Sequence, residues 1–285
     1  MKNIKLNNGV EMPILNFGVF QIPQEETKEA VINALKVGYR GIDTAQSYFN
    51  EKEVGDGIKE SGIPREEIFI TTKIWIDNYG YDKCKKSVEE SLERLQTSYI
   101  DLVLLHQPFS DYYGAYRALE ELYEEGKIKA IGVSNFYADR LADICLFERK
   151  VIPAVNQIET NPFNARYKDQ EVAEKYGTHI MAWAPFGEGK NNMFINPILG
   201  EIGNKYGKSS AQVILRWLIQ RGVIIACKST HLERIKQNFE VFDFELTNED
   251  MEKIKGLDKG DSLFFNHQDP NMVEWFDSMV QKRRK

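Results

Sequence analysis

Long hydrophobic runs are absent from this chain of 285 residues, and its longest apolar stretches are as short as IDLVLL and AQVIL. A helix that crosses a membrane needs about 18 apolar residues or more, so we expect no membrane span. The polar start, MKNIKLNNGVEMPIL, also lacks the apolar core of a secretory signal peptide. A hydrophobic content of 42% still predicts a globular protein with a large buried core.

Cysteine is also rare, with only Cys84, Cys145 and Cys227 in the whole chain. An odd number without close pairing argues against a disulfide framework and favours a reducing compartment, so we expect a cytoplasmic protein. Basic stripes are missing too: the net charge is −6, and only the terminal QKRRK concentrates lysine and arginine. This charge pattern argues against binding to nucleic acid, and we interpret QKRRK as a solvated tail.

Several common catalytic signatures are missing. The four histidines form no H-x-x-x-H pair and no two cysteines have zinc spacing, which argues against a metal hydrolase and predicts no bound metal. The segment GVSNF lacks the second glycine of a serine-hydrolase elbow. GDGIKESG contains G-x-G, but it follows no predicted strand and has the wrong third spacing for a Rossmann dinucleotide site. We interpret GDGIKESG as a helix and its C-cap.

The sequence does contain a regular alternation of short apolar runs and longer segments with helical spacing. The apolar runs predict eight strands at residues 15–19, 41–43, 68–73, 100–106, 130–134, 154–159, 179–184 and 223–227. Helices are predicted at residues 25–37, 52–61, 82–95, 115–125, 138–147, 168–176, 209–220 and 232–239. Short strands buried on both faces indicate a parallel sheet. Eight βα repeats without a linker predict an α/β fold, a (β/α)8 TIM barrel that forms one domain over residues 1–285.

Both ends of the chain are expected to add to this barrel. Asn8 and Gly9 separate two short apolar segments and have the type of sequence that turns a two-residue β-hairpin. The residues from about Gly256 onwards lie beyond the eighth repeat. We therefore predict an N-terminal β-hairpin and a C-terminal extension.

Four polar residues with matching chemistry lie at or near the ends of successive predicted strands. Asp43, Lys73 and His106 close the second, third and fourth strands, and Tyr48 follows Asp43 in the next loop. Active sites of such barrels lie at the carboxyl ends of the strands, so the four side chains are expected to converge on one rim. A glycosidase would need two acids there, and Glu159 has no evident partner.

The four residues form a set that can handle a proton. A phenol has an ordinary pKa of about 10, and a nearby ammonium favours the phenolate, so Lys73 is expected to lower the pKa of Tyr48. Asp43 would hold Lys73, and His106 would donate a hydrogen bond that orients a carbonyl oxygen. Such a set suits the reduction of a carbonyl group, whose oxygen must be protonated as hydride arrives at carbon. The hydride requires a cofactor.

Seven sequence blocks resemble the aldo-keto reductases over nearly the whole chain. They are GIDTAQSYFNEKEVG, the strand ending at Lys73, DLVLLHQP, IKAIGVSNF, VNQIETNP, MAWAPFG and CKSTHLERIKQN. The resemblance implies a (β/α)8 barrel, a nicotinamide cofactor usually bound as NADPH, and a catalytic tetrad at the four residues above. Among the branches of the family, the chain is most similar to the microbial 2,5-diketogluconate reductases and prostaglandin F synthases. It also implies a monomer that acts on small-molecule carbonyl substrates.

The resemblance also implies a cofactor cleft. Ser134 and Asn135 end the fifth strand and Gln157 lies in the sixth, where their polar groups would pair with a nicotinamide carboxamide. Trp183 ends the seventh strand, where many members carry tyrosine, and its ring is expected to stack on the nicotinamide. Groups that would bind a 2′-phosphate and then the adenine follow the eighth strand: Lys228, Ser229, Thr230 and Arg234, then Gln237 and Asn238. This cationic cluster favours NADPH over NADH. The last segment also fits a solvent-facing helix capped by Ser229 or Thr230, and the two interpretations are compatible.

The substrate is less well defined by the sequence. Aromatic residues expected around the nicotinamide are Phe20, Trp75 and Phe109, together with Phe264, Phe265 and Trp275 of the extension. Aromatic residues are also ordinary core residues, so each position has two interpretations. Keto-sugar acids, methylglyoxal-like dicarbonyls and aromatic aldehydes all remain open as substrates. The alternative function is a non-catalytic NADPH-binding sensor or regulatory subunit of the same fold, against which the intact tetrad argues.

Overall fold

The computed structural model describes residues 2–147 and 150–283. A short antiparallel hairpin, β1 (Asn3–Lys5) and β2 (Glu11–Pro13), precedes a closed barrel of eight parallel strands. The barrel strands are β3 (Leu15–Gly18), β4 (Gly41–Asp43), β5 (Phe69–Ile74), β6 (Leu102–Leu105), β7 (Ile131–Ser134), β8 (Val155–Glu159), β9 (His179–Trp183) and β10 (Ile224–Cys227). Each strand pairs with the next along the chain, and β10 pairs with β3. The predicted TIM barrel and its N-terminal hairpin are confirmed.

The hairpin closes the amino-terminal end of the barrel. Its turn contains Gly9 at φ +89, a left-handed conformation that glycine adopts without steric cost. Leu6 and Met12 are buried, and they pack with apolar side chains from inside the barrel, such as Leu102 and Val155. Because the hairpin covers the amino-terminal end of the barrel, the end formed by the carboxyl ends of the strands is the one that stays open for a ligand site.

Helices form the outer layer, and their apolar faces pack on the strands. They are α1 (Gln24–Val37), α2 (Glu51–Ser61), α3 (Tyr81–Leu95), α4 (Tyr112–Glu124), α5 (Ala138–Leu146), α6 (Tyr167–Lys175), α7 (Pro197–Tyr206), α8 (Ser210–Gln220), α9 (Leu232–Phe239), α10 (Asn248–Lys255) and α11 (Pro270–Arg283). The GDGIKESG segment lies in α2, which ends at Gly62 with φ +71, as predicted. α4 begins earlier than predicted because the Asp111 carboxylate accepts a hydrogen bond from the Gly114 N–H and caps the helix. None of the helices within residues 2–147 and 150–283 is long and apolar enough to cross a membrane.

Three of these helices, α7, α10 and α11, are absent from the sequence prediction. The sequence does contain signals for α7, since Asn196 caps it and Pro197 occupies its first position. The prediction omits this helix because it assigns one helix to each strand. The first three residues of QKRRK, 281–283, are exposed, as a solvated tail requires, but they form the last turn of α11 instead of an irregular tail. The final two residues lie outside the described residues. That the whole chain is one domain stays a prediction.

Candidate active site

The barrel brings the four predicted catalytic residues to one rim. Asp43 is the last residue of β4, Lys73 lies one residue before the end of β5, and His106 directly follows β6. Tyr48 ends a short 3-10 turn, Gln46–Tyr48, in the loop after β4. Because neighbouring parallel strands run in the same direction, these carboxyl-terminal positions meet at one end of the barrel.

Lys73 is the centre of this group. Its side chain is fully buried, and its Nζ donates to Asp43 Oδ1 at 2.6 Å, to the Thr44 carbonyl at 2.8 Å and to Tyr48 Oη at 3.3 Å. Burial alone would lower the pKa of Lys73, but the charges and hydrogen bonds of Asp43 and Tyr48 outweigh it and raise the pKa above its ordinary value. An ammonium is therefore fixed beneath the phenol at neutral pH.

The net pKa of Tyr48 is raised, although Lys73 lowers it as expected. Desolvation of the phenol raises this pKa, the Lys73 charge lowers it, and the Asp43 charge raises it again. The carboxylate of Asp43 partly neutralises the ammonium, and burial disfavours the charged phenolate, so these two effects together outweigh the effect of Lys73. Tyr48 therefore keeps its proton throughout the neutral range.

His106 is buried and neutral. Burial is the largest cause that lowers its pKa well below the ordinary value, followed by the charge of Lys73. Its Nδ1 lies 3.4 Å from the hydroxyl oxygen of Ser47. If that hydroxyl donates to Nδ1, the remaining ring nitrogen, Nε2, carries the hydrogen. This assignment leaves an N–H group to donate to a carbonyl oxygen. Ser47 lies next to Tyr48 in the sequence and was not singled out by sequence analysis.

The loop that carries Tyr48 is held by Gln46, another residue that sequence analysis missed. The Gln46 side chain is buried, and its Oε1 accepts hydrogen bonds from the Trp75 backbone N–H at 3.0 Å and from Asn78 Nδ2 at 2.8 Å. Its Nε2 donates to the Ser87 carbonyl of α3 at 3.2 Å. Gln46 thus ties the Tyr48 turn to the end of β5, which fixes the phenol relative to Lys73.

The residues predicted to hold the nicotinamide lie beside the tetrad. Gln157 Nε2 donates to the second oxygen of Asp43 at 2.8 Å, and Asn135 Nδ2 donates to the His106 carbonyl at 3.0 Å. Trp183 Nε1 donates to Asn135 Oδ1 at 2.9 Å, and Ser134 Oγ donates to the Gln157 carbonyl at 2.8 Å. The structure therefore joins these four residues and the tetrad in one hydrogen-bonded network.

The predicted phosphate and adenine groups lie after β10, which neighbours β9 and β3 in the barrel. Lys228, Thr230 and Arg234 are exposed, and the structure shows no ion pair between either cation and a described residue. The prediction that Ser229 or Thr230 caps α9 is wrong, because the N-cap is His231 and no side chain caps the helix. Ser229 is buried and accepts from the His231 N–H at 3.1 Å instead. Two residues are predicted to contact the adenine: Gln237, which is exposed, and Asn238, which is buried.

These features fit the phosphate end of a nucleotide. Anions are stabilised at a helix N-terminus whose first N–H groups lack side-chain partners, and by flexible cations nearby. The start of α9 and the two exposed cations provide both elements. Lys228 and Arg234 would hold a phosphate there, while Ser134, Asn135 and Gln157 would hold the carboxamide at the other end.

The three aromatic residues predicted for the substrate pocket all contact either a tetrad residue or helix α11. The Phe20 ring lies 4.9 Å from that of Tyr48, and Trp75 packs edge-on against His106 at 5.2 Å. Phe109 packs on Phe276 of α11 at 5.4 Å, so α11 lies against the pocket side of the rim. Phe20 is half exposed, whereas Trp75 is buried.

The aromatic residues of the extension are divided between the rim and α11. Phe264 and Phe265 pack against Trp183, with ring centroids 5.2 and 6.5 Å away. Trp275 lies on α11 and contacts Phe265 and Phe276. Because Trp183 is flanked by the extension, the tail and the predicted cofactor cleft share a wall.

His267 attaches the extension to the barrel, and neither it nor its partner Gln107 was expected to do so. His267 is buried, its Nε2 lies 2.9 Å from Gln107 Oε1, and its ring stacks on Phe109 and Phe276. Gln107 follows His106 in the DLVLLHQP block, which was the available signal. Burial is the main cause that lowers the pKa of His267 to about 3.

This buried histidine predicts acid-sensitive stability. The pKa of an unfolded histidine is about 6.5, so below that pH the unfolded chain binds a proton that folded His267 does not. The free energy of unfolding should therefore fall as pH falls from about 6.5 towards 3, by up to about 1.4 kcal/mol per pH unit from this residue. His267→Gln should flatten this slope in denaturant titrations at pH 6.5, 5.5 and 4.5. His231→Gln, at an exposed histidine, is the matched control, and an unchanged slope in His267→Gln would contradict the expectation.

The fold and the rim define the class of protein: a barrel-type oxidoreductase that reduces carbonyl compounds with a nicotinamide cofactor. The chain belongs to the Aldo/keto reductase family, whose family model matches residues 15–259. The resemblance stated from the sequence blocks is thus confirmed. The finer placement beside 2,5-diketogluconate reductases and prostaglandin F synthases stays a prediction.

Relatives and solved structures agree with this assignment. The chain is 46% identical over 262 residues to glyoxal reductase of Bacillus subtilis, covering 91% of this chain and 94% of the relative. It is 45% identical over 260 residues to 9,11-endoperoxide prostaglandin H2 reductase of Trypanosoma cruzi, covering 90% and 91%. The aldo-keto reductase of Bombyx mori, solved in complex with NADP, superposes with a TM-score of 0.89 at 34% identity and covers 97% of each chain.

Proposed function

We propose that the protein reduces small aldehydes, ketones and dicarbonyls to alcohols with NADPH, and that Tyr48 is the proton donor. The observation that carries the proposal is the 3.3 Å contact between the Tyr48 phenol and the buried Lys73 ammonium at the carboxyl rim. A similar glyoxal reductase supports dicarbonyl substrates, of which glyoxal is the simplest. Keto-sugar acids and aromatic aldehydes fit the same chemistry. The protein acts as a monomer in the cytoplasm.

Each residue of the tetrad has a defined role in this reaction. When bound, the nicotinamide supplies hydride to the carbonyl carbon. His106, held neutral, donates a hydrogen bond that orients the carbonyl oxygen, and Tyr48 transfers its proton to that oxygen. Lys73 stabilises the phenolate that Tyr48 leaves behind, and Asp43 holds Lys73 in place. Phe20, Trp75 and Phe109 surround the substrate with apolar walls.

Cofactor preference follows from the cationic groups after β10. Lys228 and Arg234, with the hydroxyl groups of Ser229 and Thr230 and the N-terminus of α9, would bind the 2′-phosphate that distinguishes NADPH from NADH. Trp183 would stack against the nicotinamide at the opposite end of the cleft. Gln237 and Asn238 would contact the adenine.

The test is to mix purified protein with a panel of small aldehydes and dicarbonyls, glyoxal and methylglyoxal included, and to follow the absorbance of reduced nicotinamide. We expect oxidation of NADPH with a clear preference over NADH.

Arg234→Gln should raise the KM for NADPH about ten-fold and leave the KM for NADH nearly unchanged, because only NADPH carries the 2′-phosphate. Lys168→Gln, an exposed lysine on α6, is the control. Binding of NADPH without oxidation by any carbonyl would favour the sensor alternative.

A further inference from the structure

The last helix places a guanidinium at the edge of the proposed substrate pocket. α11 ends at Arg283, whose guanidinium carbon lies 4.7 Å from the centroid of the Trp75 ring and 5.0 Å from that of Phe49. Trp75 in turn packs against His106 at 5.2 Å. The two contacts on Trp75 put the positive charge within about 10 Å of the imidazole centroid. Arg283 is therefore close to the group that would orient the carbonyl.

Arg283 has hydrogen-bonding capacity that no described residue uses. Within residues 2–147 and 150–283, the structure shows no hydrogen bond from its N–H groups and no carboxylate at ion-pair distance. Burial lowers the pKa of Arg283, and the charge of Asp77 partly opposes this effect. A guanidinium that stacks on aromatic faces keeps its N–H edges open, and these edges match a carboxylate in bidentate geometry.

The electrostatic surroundings of the pocket favour an anion as well. The charge of Arg283 is one of the causes that lower the pKa of His106, after burial, Lys73 and His267. Its field therefore reaches the position of the reacting carbonyl. The protein as a whole has a net charge of −6, yet the last turn of α11 carries two cations, Lys282 and Arg283. A locally positive edge on an acidic protein attracts anionic ligands to that edge.

We propose that Arg283 determines specificity by binding a carboxylate of the substrate. The preferred substrates are then aldehydes or ketones that carry a carboxylate a few carbons from the carbonyl group. Phe49 and Trp75 hold the guanidinium in position, so little side-chain freedom is lost when the carboxylate binds. This inference rests on the proposed function, because it names the substrate class of the same site.

The test compares succinic semialdehyde with its methyl ester, two substrates of similar length that differ in the negative charge. In Arg283→Gln, kcat/KM for the acid relative to the ester should fall about ten-fold, mainly through KM, and Arg283→Lys should restore part of the ratio. Lys282→Gln removes the same charge from the neighbouring residue of α11 and should keep the wild-type ratio. In the wild type, the ratio should fall as salt is added.

Three results would overturn the proposal: an unchanged ratio in Arg283→Gln, an equal loss for acid and ester, which would make Arg283 a structural clasp for α11, or an equal drop of the ratio in Lys282→Gln. If neither compound is reduced, the proposed function fails, and binding then tests Arg283 separately. Succinate should quench tryptophan fluorescence saturably in the wild type, and about ten-fold more should be needed in Arg283→Gln. Equal titrations of the two proteins would reject the carboxylate site.

Discussion

Tyr48→Phe is expected to lower kcat by about 10²- to 10⁴-fold, the usual contribution of a general acid, while NADPH binds with nearly unchanged affinity. The substitution removes only the phenol oxygen, whose contact within the described residues is Lys73 Nζ at 3.3 Å. Lys73 keeps its bonds to Asp43 and to the Thr44 carbonyl, so the rim should retain its shape. The measurements are steady-state kinetics with a small aldehyde and quenching of protein fluorescence by NADPH.

Tyr206→Phe provides the matched control, because it removes the same atom far from the rim. Tyr206 Oη donates to Asp250 Oδ2 at 2.5 Å where α7 meets α10. This variant should lose some stability, about 1 kcal/mol for one hydrogen bond, and keep its kcat. A Tyr48→Phe protein with normal turnover would show that the proton comes from another donor, and a large loss of NADPH affinity would show that the phenol serves binding.

The positions of the tetrad could be predicted because they depend on topology alone. Once eight βα repeats are recognised, Asp43, Lys73 and His106 must meet at one end of the barrel, whatever the details of packing. The hairpin turn at Gly9 and the helical state of GDGIKESG were predictable for a similar reason, because each depends on local chain geometry. The local sequence pattern and the strand order are therefore sufficient to predict most of the fold and the centre of the site.

The remaining features depend on contacts that a pattern does not show. The pKa of Tyr48 depends on burial and on how far Asp43 cancels the charge of Lys73, and both require coordinates. The cap of α9 shifts to His231 because Ser229 bonds that residue's N–H instead. The role of Arg283 beside Trp75 could not be predicted, since α11 reaches the rim through long-range packing against residues such as Phe109.

Lys73→Met should destabilise the protein by about 3–5 kcal/mol, the cost of leaving a buried charge without its partner. The Lys73 side chain is fully buried and that of Asp43 is 5% exposed. Without the ammonium, Asp43 keeps one side-chain donor among the described residues, Gln157 Nε2, and the Thr44 carbonyl loses a bond of 2.8 Å. Turnover should fall as well, because the Lys73 charge is what lowers the pKa of Tyr48 against burial and Asp43. Denaturant titration monitored by circular dichroism measures the free energy of unfolding.

A double-mutant cycle separates this electrostatic cost from the loss of packing. Asp43→Asn combined with Lys73→Met removes both charges, so the double variant should be more stable than the sum of the single effects predicts, by about 1–3 kcal/mol. Lys168→Met, an exposed lysine on α6, should change stability by no more than about 0.5 kcal/mol. Additive effects in the cycle would mean that the 2.6 Å contact does not couple the two charges, and Lys73 would then act on Tyr48 without the support of Asp43. A coupled pair whose double variant is stable but does not turn over would show that the ion pair serves the phenol, because its removal would then cost catalysis and not folding.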